Sequence, residues 1–334
     1  MRRFDLGIRQ RAHVVHARLL AARAGRAAGL DDAQVDRVAL AATELATNLI
    51  AHAEDGALLG DAAGGCLDMV AVDRGPGMRR PEDCLRDGYS TRGGLGAGLG
   101  AVRRAADEFD LYSRVGQGTA VLARWWPAAA PTPRPGDVAA LTAASPGERD
   151  TGDAWLVLRD RAHTTLVVCD GLGHGRPAAH ASRTALDVAV HRRRLPPAGL
   201  LGAMHRALAG TRGAAVAVAQ LTPDEGVLRF AGIGNVSARL VTEAGEQRLV
   251  SRPGIVGGPA GSRFPTEAVH PWRKGSLLVL HTDGLTDRWS LRAWPELVGR
   301  HVGAVAGWLL WQGYRKRDDA CVLVASTARS TGTW

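Results

Sequence analysis

Residues 127–136, PAAAPTPRPG, place prolines at 127, 131, 133 and 135. Each proline fixes φ and removes a backbone donor, so neither a helix nor a central strand continues through the stretch. The break divides the chain into 1–126, a linker over 127–136, and 137–328. The length of 334 residues agrees with that division, because it exceeds what one hydrophobic core usually supports.

On the N-terminal side, apolar residues recur every three or four positions over 8–28 and 32–53, which predicts two helices, with Asp31 and Asp32 at the N-cap of the second. CLDMVAV (66–72) reads as a strand that runs into the turn DRGPG. A glycine-rich stretch, a helix over 98–107 and strands over 109–114 and 119–126 follow. Beyond the linker, strands are expected at 154–158, 164–169, 214–221, 227–232, 237–242, 276–281 and 320–325, with helices over 176–194, 198–209 and 293–312. Both parts therefore mix helix and strand in the manner of layered α/β sandwiches, an α+β chain overall.

The formal charge of +9 raises the question of nucleic acid, but Lys274 and Lys316 are the only lysines and arginine dominates throughout. The basic clusters Arg192–Arg194 and Arg315–Arg317 lie apart and lack interleaved aromatic residues, so no nucleic-acid partner is expected. There is no uncharged apolar run of about 18 residues, so no membrane span is expected either. Charges interrupt the first 30 residues too often for a signal peptide. Cys66, Cys84, Cys169 and Cys321 show no CxxC spacing, which fits a reduced, cytoplasmic protein without structural zinc. Trp125, Trp126, Trp155, Trp272, Trp308 and Trp311 fall on apolar faces and read as packing residues.

Three segments of the N-terminal part point to a nucleotide. Glu44 and Asn48 lie four apart in ATELATNLIAHA, so a carboxylate and an amide share one helix face. Asp73 closes a strand and is followed by Gly75 and Gly77, an acid that can accept from an amino group beside backbone a flat ring can approach. Gly94, Gly96, Gly98 and Gly100 open a helix, where free N–H groups and the helix dipole suit phosphate. In this order the set resembles the GHKL ATP-binding family, and GLGAGLGAVRRAADEFDLYSRVGQGTAVLARWW is similar to its RsbT-like serine kinases. The resemblance implies a Bergerat-type α/β sandwich that binds ATP with Mg2+. It gives Asp73 the adenine amino group, Asn48 the Mg2+ and Glu44 the role of general base. Arg92, within the lid, can reach the γ-phosphate or stay in solvent.

The C-terminal part is marked by acids at strand ends or turns: Asp153 (TGDAW), Asp170 (VVCDGLGHG), Asp283 (LHTDGLTD) and Asp318 (KRDDACVLV). Several carboxylates without histidine or cysteine partners suit hard Mg2+ or Mn2+. With FAGIGNVSARLV and PGIVGG between them, they resemble the PPM-type phosphatases of the SpoIIE and RsbX group. That resemblance implies an α/β/β/α sandwich holding two Mn2+ or Mg2+ ions. Asp170 would be shared between them, the Gly171 carbonyl would join them, and Asp153, Asp283 and Asp318 would complete the set, with Asp319 an alternative to Asp318. His174 can protonate a leaving oxygen or cap the helix that follows. Asn235 reads as a turn residue, and Asp287 as a group orienting the Asp283 loop.

Together the two resemblances imply a bifunctional regulator of a bacterial partner-switching pathway, phosphorylating and dephosphorylating serine or threonine. The implied partners are a STAS-domain phosphoprotein or scaffold, or a sigma-factor regulator. The alternative is a phosphatase whose N-terminal half binds a partner in a nucleotide-dependent way without kinase turnover. Oligomeric state stays open, a homodimer among the options.

Overall fold

The computed structural model describes residues 3–62, 65–85, 98–130, 138–145, 150–258 and 266–327. The chain forms two compact units. The first is Met1–Leu141 together with Trp294–Gln312, and the second is Thr142–Ala293 with Gly313–Ala328. The division falls between Leu141 and Thr142, after the proline-rich stretch, and one segment from the C-terminal part, Trp294–Gln312, belongs to the first unit.

The first unit is built on a five-stranded sheet of β1 (Arg3–Ile8), β2 (Gly56–Asp61), β3 (Leu67–Asp73), β4 (Glu108–Arg114) and β5 (Gly118–Trp125), in the order β1-β2-β3-β5-β4 and antiparallel throughout. One face carries α1 (Ala12–Ala27), α2 (Asp32–His52) and α3 (Gly98–Ala105). The N-terminus of α2 is fixed by a capping box, in which Gln34 N donates to Asp31 Oδ1 at 2.8 Å and Asp31 N to Gln34 Oε1 at 3.1 Å. From there Val35, Val38, Ala42, Leu45 and Leu49 point at Leu67, Met69 and Ala71 of β3 and Val121, Ala123 and Trp125 of β5. The helix expected over 8–28 begins at Ala12 because Arg3–Ile8 is drawn into the sheet edge, pairing residue for residue with Asp61–Gly56.

The alternate residues of β3 and β5 face the other way and are buried too, which is why both strands read as largely apolar rather than alternating, apart from the buried Asp68 and Arg124 that pair with each other. Their cover is α6 (Val302–Gly313), from the segment that returns to this unit. It packs closely through glycine: a Cβ at Gly307 would stand 2.5 Å from Val70 Cγ1, and one at Gly303 2.7 Å from Leu122 Cδ1. Trp308 meets Tyr112 edge-on with ring centroids 4.7 Å apart. The start of α6 is pinned by two carboxylates, one buried and one half-buried. Asp110 Oδ2 accepts from His301 N at 2.6 Å, and His301 Nε2 lies 3.0 Å from Glu108 Oε2. His301, Trp126 and Arg124 hold the Glu108 carboxyl down at about 2, against a burial effect that alone would raise it. The helix expected over 293–312 starts only at Val302, since Leu291–Ala293 and Pro295–Leu297 form 3-10 turns before it.

The second unit holds two more five-stranded sheets. One has the order β13-β10-β9-β8-β7, from β7 (Asp153–Arg159), β8 (Thr164–Gly171), β9 (Ala214–Thr222), β10 (Val227–Ile233) and β13 (Ala268–Pro271). The other has the order β12-β11-β14-β15-β6, from β6 (Val138–Ala143), β11 (Ser237–Thr242), β12 (Gly245–Leu249), β14 (Leu277–His281) and β15 (Ala320–Ser326), and the division between the units falls inside β6. Helices α4 (Gly175–His191) and α5 (Pro197–Ala207) cover the first of these sheets, setting Ala181, Ala185, Leu201 and Met204 against Val167, Cys169, Val216 and Val218. Strands β1, β2, β6, β12 and β13 are absent from the sequence expectations; they are short, and their pairing rather than their composition makes them strands. No helix among the described residues is long and apolar enough to cross a membrane.

Replacing Gly307 with valine forces branched methyl groups into Val70 and should destabilise the chain by about 1–3 kcal/mol in a denaturant titration. The same change at Gly299, where a Cβ meets nothing within 4 Å, should leave the midpoint unmoved within about 0.5 kcal/mol.

Candidate functional sites

In the first unit α2 presents Glu44 and Asn48 one turn apart, both half-buried. The Asn48 amide lies against Gly98, the first residue of α3: a Cβ there would be 3.7 Å from both of its polar atoms. Asp73 ends β3, and its Oδ1 accepts from Gly75 N at 2.6 Å, so the turn after the strand fixes the carboxylate. Burial pushes the Asp73 carboxyl up to about 6; the bond from Gly75 opposes the rise and the charge of Glu54 adds to it. Gly77, at φ 65°, sits beneath the Arg114 carbonyl, a place no side chain could share. Gly100 is buried within α3, while Arg92, Gly94 and Gly96 lie outside the described residues. The arrangement sets an acid at the end of a central strand, an amide near a helix start and a carboxylate one turn away. Those are the elements a purine, a cation and a hydroxyl require.

Sequence reasoning missed three neighbours here. Thr119 stands directly opposite Asp73 on β5, and its hydroxyl lies 2.9 Å from that of Ser113, which also accepts from Met78 N at 2.8 Å. Arg74 reaches α6, donating to Trp311 O at 2.6 Å. Only the strand register and the returning segment bring these residues to the site, so no local motif could have flagged them.

In the second unit the antiparallel register of β7 and β8 sets Asp153 directly opposite Asp170. Asp153 is only 2% exposed, and burial, then the charge of Asp170, raise its carboxyl well above the usual range, with Asp319 and Asp283 adding to the effect. Asp170 is pushed up to about 7 by burial and by Asp283, Asp318 and Asp319. Asp318 is raised as well, by burial and then by Asp283 and Asp319, against the bond from Asp319 N and the nearby His174. Five carboxylates therefore feel one another. Gly171, which follows Asp170 at the end of β8, is buried against Ala178 of α4.

Asp318 and Asp319 differ in their engagement. Asp319 is buried, and both its oxygens are taken by backbone amides, from Ser145 at 2.8 Å and Gly152 at 2.6 Å. Asp318 is exposed and accepts only from Asp319 N, at 2.9 Å, among the described residues. Asp319 thus ties the segments carrying the other acids, and Asp318 is the one open to a ligand. Thr282 adds a second tie, its hydroxyl donating to Asp153 Oδ2 at 2.5 Å and accepting from Cys321 N at 2.8 Å. Asn235 donates to Asp283 Oδ2 at 2.6 Å, across a sequence gap of 48 residues. His174 occupies the N-cap of α4 without a side-chain cap bond, and its charge is felt at Asp318. Asp287 turns to Arg248, at 2.7 Å, and to Arg239 and His281 rather than to Asp283.

The donor chemistry fits a hard divalent cation: oxygen only, several negative charges, and a mutual repulsion that such an ion would relieve. Among the described residues no three Asp, Glu, His or Cys side chains already form an ion cage; neutral donors engage an oxygen of each of Asp153, Asp283 and Asp318.

Comparison with known proteins accounts for both units. The sequence profile described as Stage II sporulation protein E (SpoIIE) matches residues 160–328, and that described as Histidine kinase-like ATPase domain matches residues 9–125. The serine/threonine-protein kinase RsbT of Bacillus subtilis (strain 168) is 37% identical over 117 residues, which cover 34% of this chain and 88% of that protein. A solved structure described as "The bacterial stressosome: a modular system that has been adapted to control secondary messenger signaling" superposes with a TM-score of 0.53 at 28% identity, over 57% of this chain and 98% of its own. RsbX in complex with magnesium superposes with a TM-score of 0.50 at 21% identity, over 56% of this chain and 94% of its own. The first unit has the GHKL-type fold and the second the PPM-type fold.

The raised Asp73 carboxyl has a consequence for stability. Its folded-state value of about 6 exceeds the ordinary 3.8, so the folded chain keeps a proton that the unfolded chain has released between those two pH values. This group therefore costs stability progressively as pH rises from about 4 to 6, and in full above that range. Asp73→Asn should be more stable than the parent at pH 7.5 by on the order of 1 kcal/mol, and the difference should vanish below about pH 4. Urea titrations at both pH values check this.

Proposed function

We propose that this chain, which belongs to the SpoIIE family through residues 160–328 and in its first unit to the histidine kinase-like ATPases that include RsbT, is a bifunctional regulator acting on phosphoserine or phosphothreonine of a partner protein. The observation that carries the reading is the pairing of Asp153 opposite Asp170 across β7 and β8, with the charges of Asp283 and Asp318, from two further stretches, felt at Asp170. Such a set is costly to assemble and of use chiefly for holding cations.

In the second unit Asp153, Asp170, Asp283 and Asp318, with the Gly171 carbonyl, would hold two Mg2+ or Mn2+ ions. Bound there, the ions would supply positive charge to phosphate oxygens and make water acidic enough to attack phosphorus near neutral pH. The chain's own residues do the rest. Asp319 and Thr282 hold the ligand-bearing segments in register, and His174, at the rim beside Asp318, is placed to hand a proton to the departing serine oxygen.

In the first unit Asp73 would accept from the adenine amino group, Asn48, beside the start of α3, would hold the Mg2+, and Glu44 would take the proton of the target hydroxyl. ATP with Mg2+ is the implied phosphoryl donor, and a STAS-type protein of a partner-switching pathway the implied target. The proline-rich connection keeps the two modules at high effective concentration around one target.

Hydrolysis of p-nitrophenyl phosphate should require Mn2+ or Mg2+ and cease on chelation. Asp170→Asn should lower it by more than the roughly 10- to 100-fold that changes beyond the ligands cost. Activity that survives chelation removes the metal centre from the second unit. Transfer of γ-phosphate to a STAS protein should be lost in Glu44→Gln; transfer equal to the parent's takes Glu44 out of its role, and no transfer by either protein leaves the first unit a nucleotide-dependent binding module.

A further inference from the structure

Asn235 belongs to neither expected ligand set, and its residue type alone suggests a turn. Its amide nitrogen lies 2.6 Å from Asp283 Oδ2, between two exposed side chains from different loops. The opposite orientation of the amide would set two acceptor oxygens against each other. We propose that Asn235 is a positioning residue for Asp283, holding that carboxylate in the orientation in which it takes a divalent cation. The inference rests on the metal-centre reading above.

The turn that carries Asn235 is held on both flanks. Gly234 N donates to Arg252 O at 2.8 Å, Arg252 N to Gly232 O at 2.8 Å, and Ser251 Oγ to Val236 O at 2.9 Å. Gly234 itself has φ 95° and lies so close to Ala215 that a Cβ there would stand 2.9 Å from its Cα. The donor is thus presented by backbone that has little freedom to move. Asp283, by contrast, stands exposed two residues beyond the end of β14.

The chemistry of the donor matters as much as its place. A lysine or arginine would hold Asp283 equally well but would bring a positive charge to compete with the ion. A primary amide engages one oxygen, leaves the other with its negative charge and adds no net charge of its own. The same choice recurs across the cluster: a threonine hydroxyl on Asp153, backbone amides on Asp318 and Asp319, and an asparagine amide on Asp283. Hydrogen bonds that orient metal-binding side chains in this way typically contribute 10- to 100-fold in affinity.

The experiment uses the full chain, with Mn2+ alone as probe. Mn2+ binding is followed by the loss of the free-ion paramagnetic resonance signal in the parent, Asn235→Ala and Asn235→His; the histidine Nδ1 can occupy the place of the amide nitrogen. Thermal unfolding in chelator and the KM for p-nitrophenyl phosphate at saturating Mn2+ are measured alongside. Asn235→Ala should weaken Mn2+ binding by about tenfold or more, with the metal-free unfolding midpoint and the KM unchanged, and Asn235→His should recover part of the loss. Mn2+ binding by Asn235→Ala equal to the parent's overturns the proposal, as does a loss matched by an equal fall in metal-free stability. A parent chain that binds no Mn2+ overturns the metal centre itself, and with it the premise of the proposal.

Discussion

Carboxylates that repel one another are held together in the second unit by the hydrogen-bond ladder around them. The register of β7 against β8 puts Asp153 opposite Asp170, a pairing that like charges disfavour across a sheet. It persists because a one-residue slip would turn every core side chain of both strands to the wrong face. Apolar packing under α4 and α5 therefore decides where the acids stand. The neutral donors then decide how they point. Thr282 and Asp319 reach across strands and loops to do so, and each is buried, while Asp283 and Asp318 stand exposed and Asp170 half-buried.

The first unit obeys a different constraint, a sheet that must be covered on both faces. Three helices cover one face, and α6 covers the other. The carboxylates of Asp110, buried, and Glu108, half-buried, receive the start of this helix through His301, and Arg124 lies buried against Asp68 on the same face, 2.5 Å from Nε to Oδ1. Removing one partner of such a pair leaves an uncompensated charge in the interior. The segment Trp294–Gln312 is for that reason an integral part of the unit that also carries Asp73 and Asn48. The helix also reaches the turn after β3, since Arg74, next to Asp73, donates to its Trp311 carbonyl.

Much of this was legible along the chain. Helix α2 and its cap follow from a 3.6-residue period behind Asp31, and Glu44 and Asn48 share its face because four residues make about one turn. The ends of β3 at Asp73 and of β8 just after Asp170 follow from apolar runs that stop at an acid, and the start of β7 at Asp153 from one that begins after an acid. The order of these signals along the chain was enough to suggest two modules and their chemistry. What stayed hidden is non-local. Asn235 read as a turn residue because its partner lies 48 residues away, and Thr119 carried no signal because only strand pairing sets it beside Asp73.

The sequence by itself determined which side chains are available and which short stretches become helix or strand, because capping, periodicity and turn chemistry act over a few residues. Tertiary structure alone decided that Asp319 is tied down while its neighbour Asp318 is open, that α6 joins the first unit, and that Arg3–Ile8 is an edge strand rather than the start of a helix. Each of those outcomes depends on what lies across the sheet or the core, and contacts between distant segments leave no periodic trace in the chain that makes them.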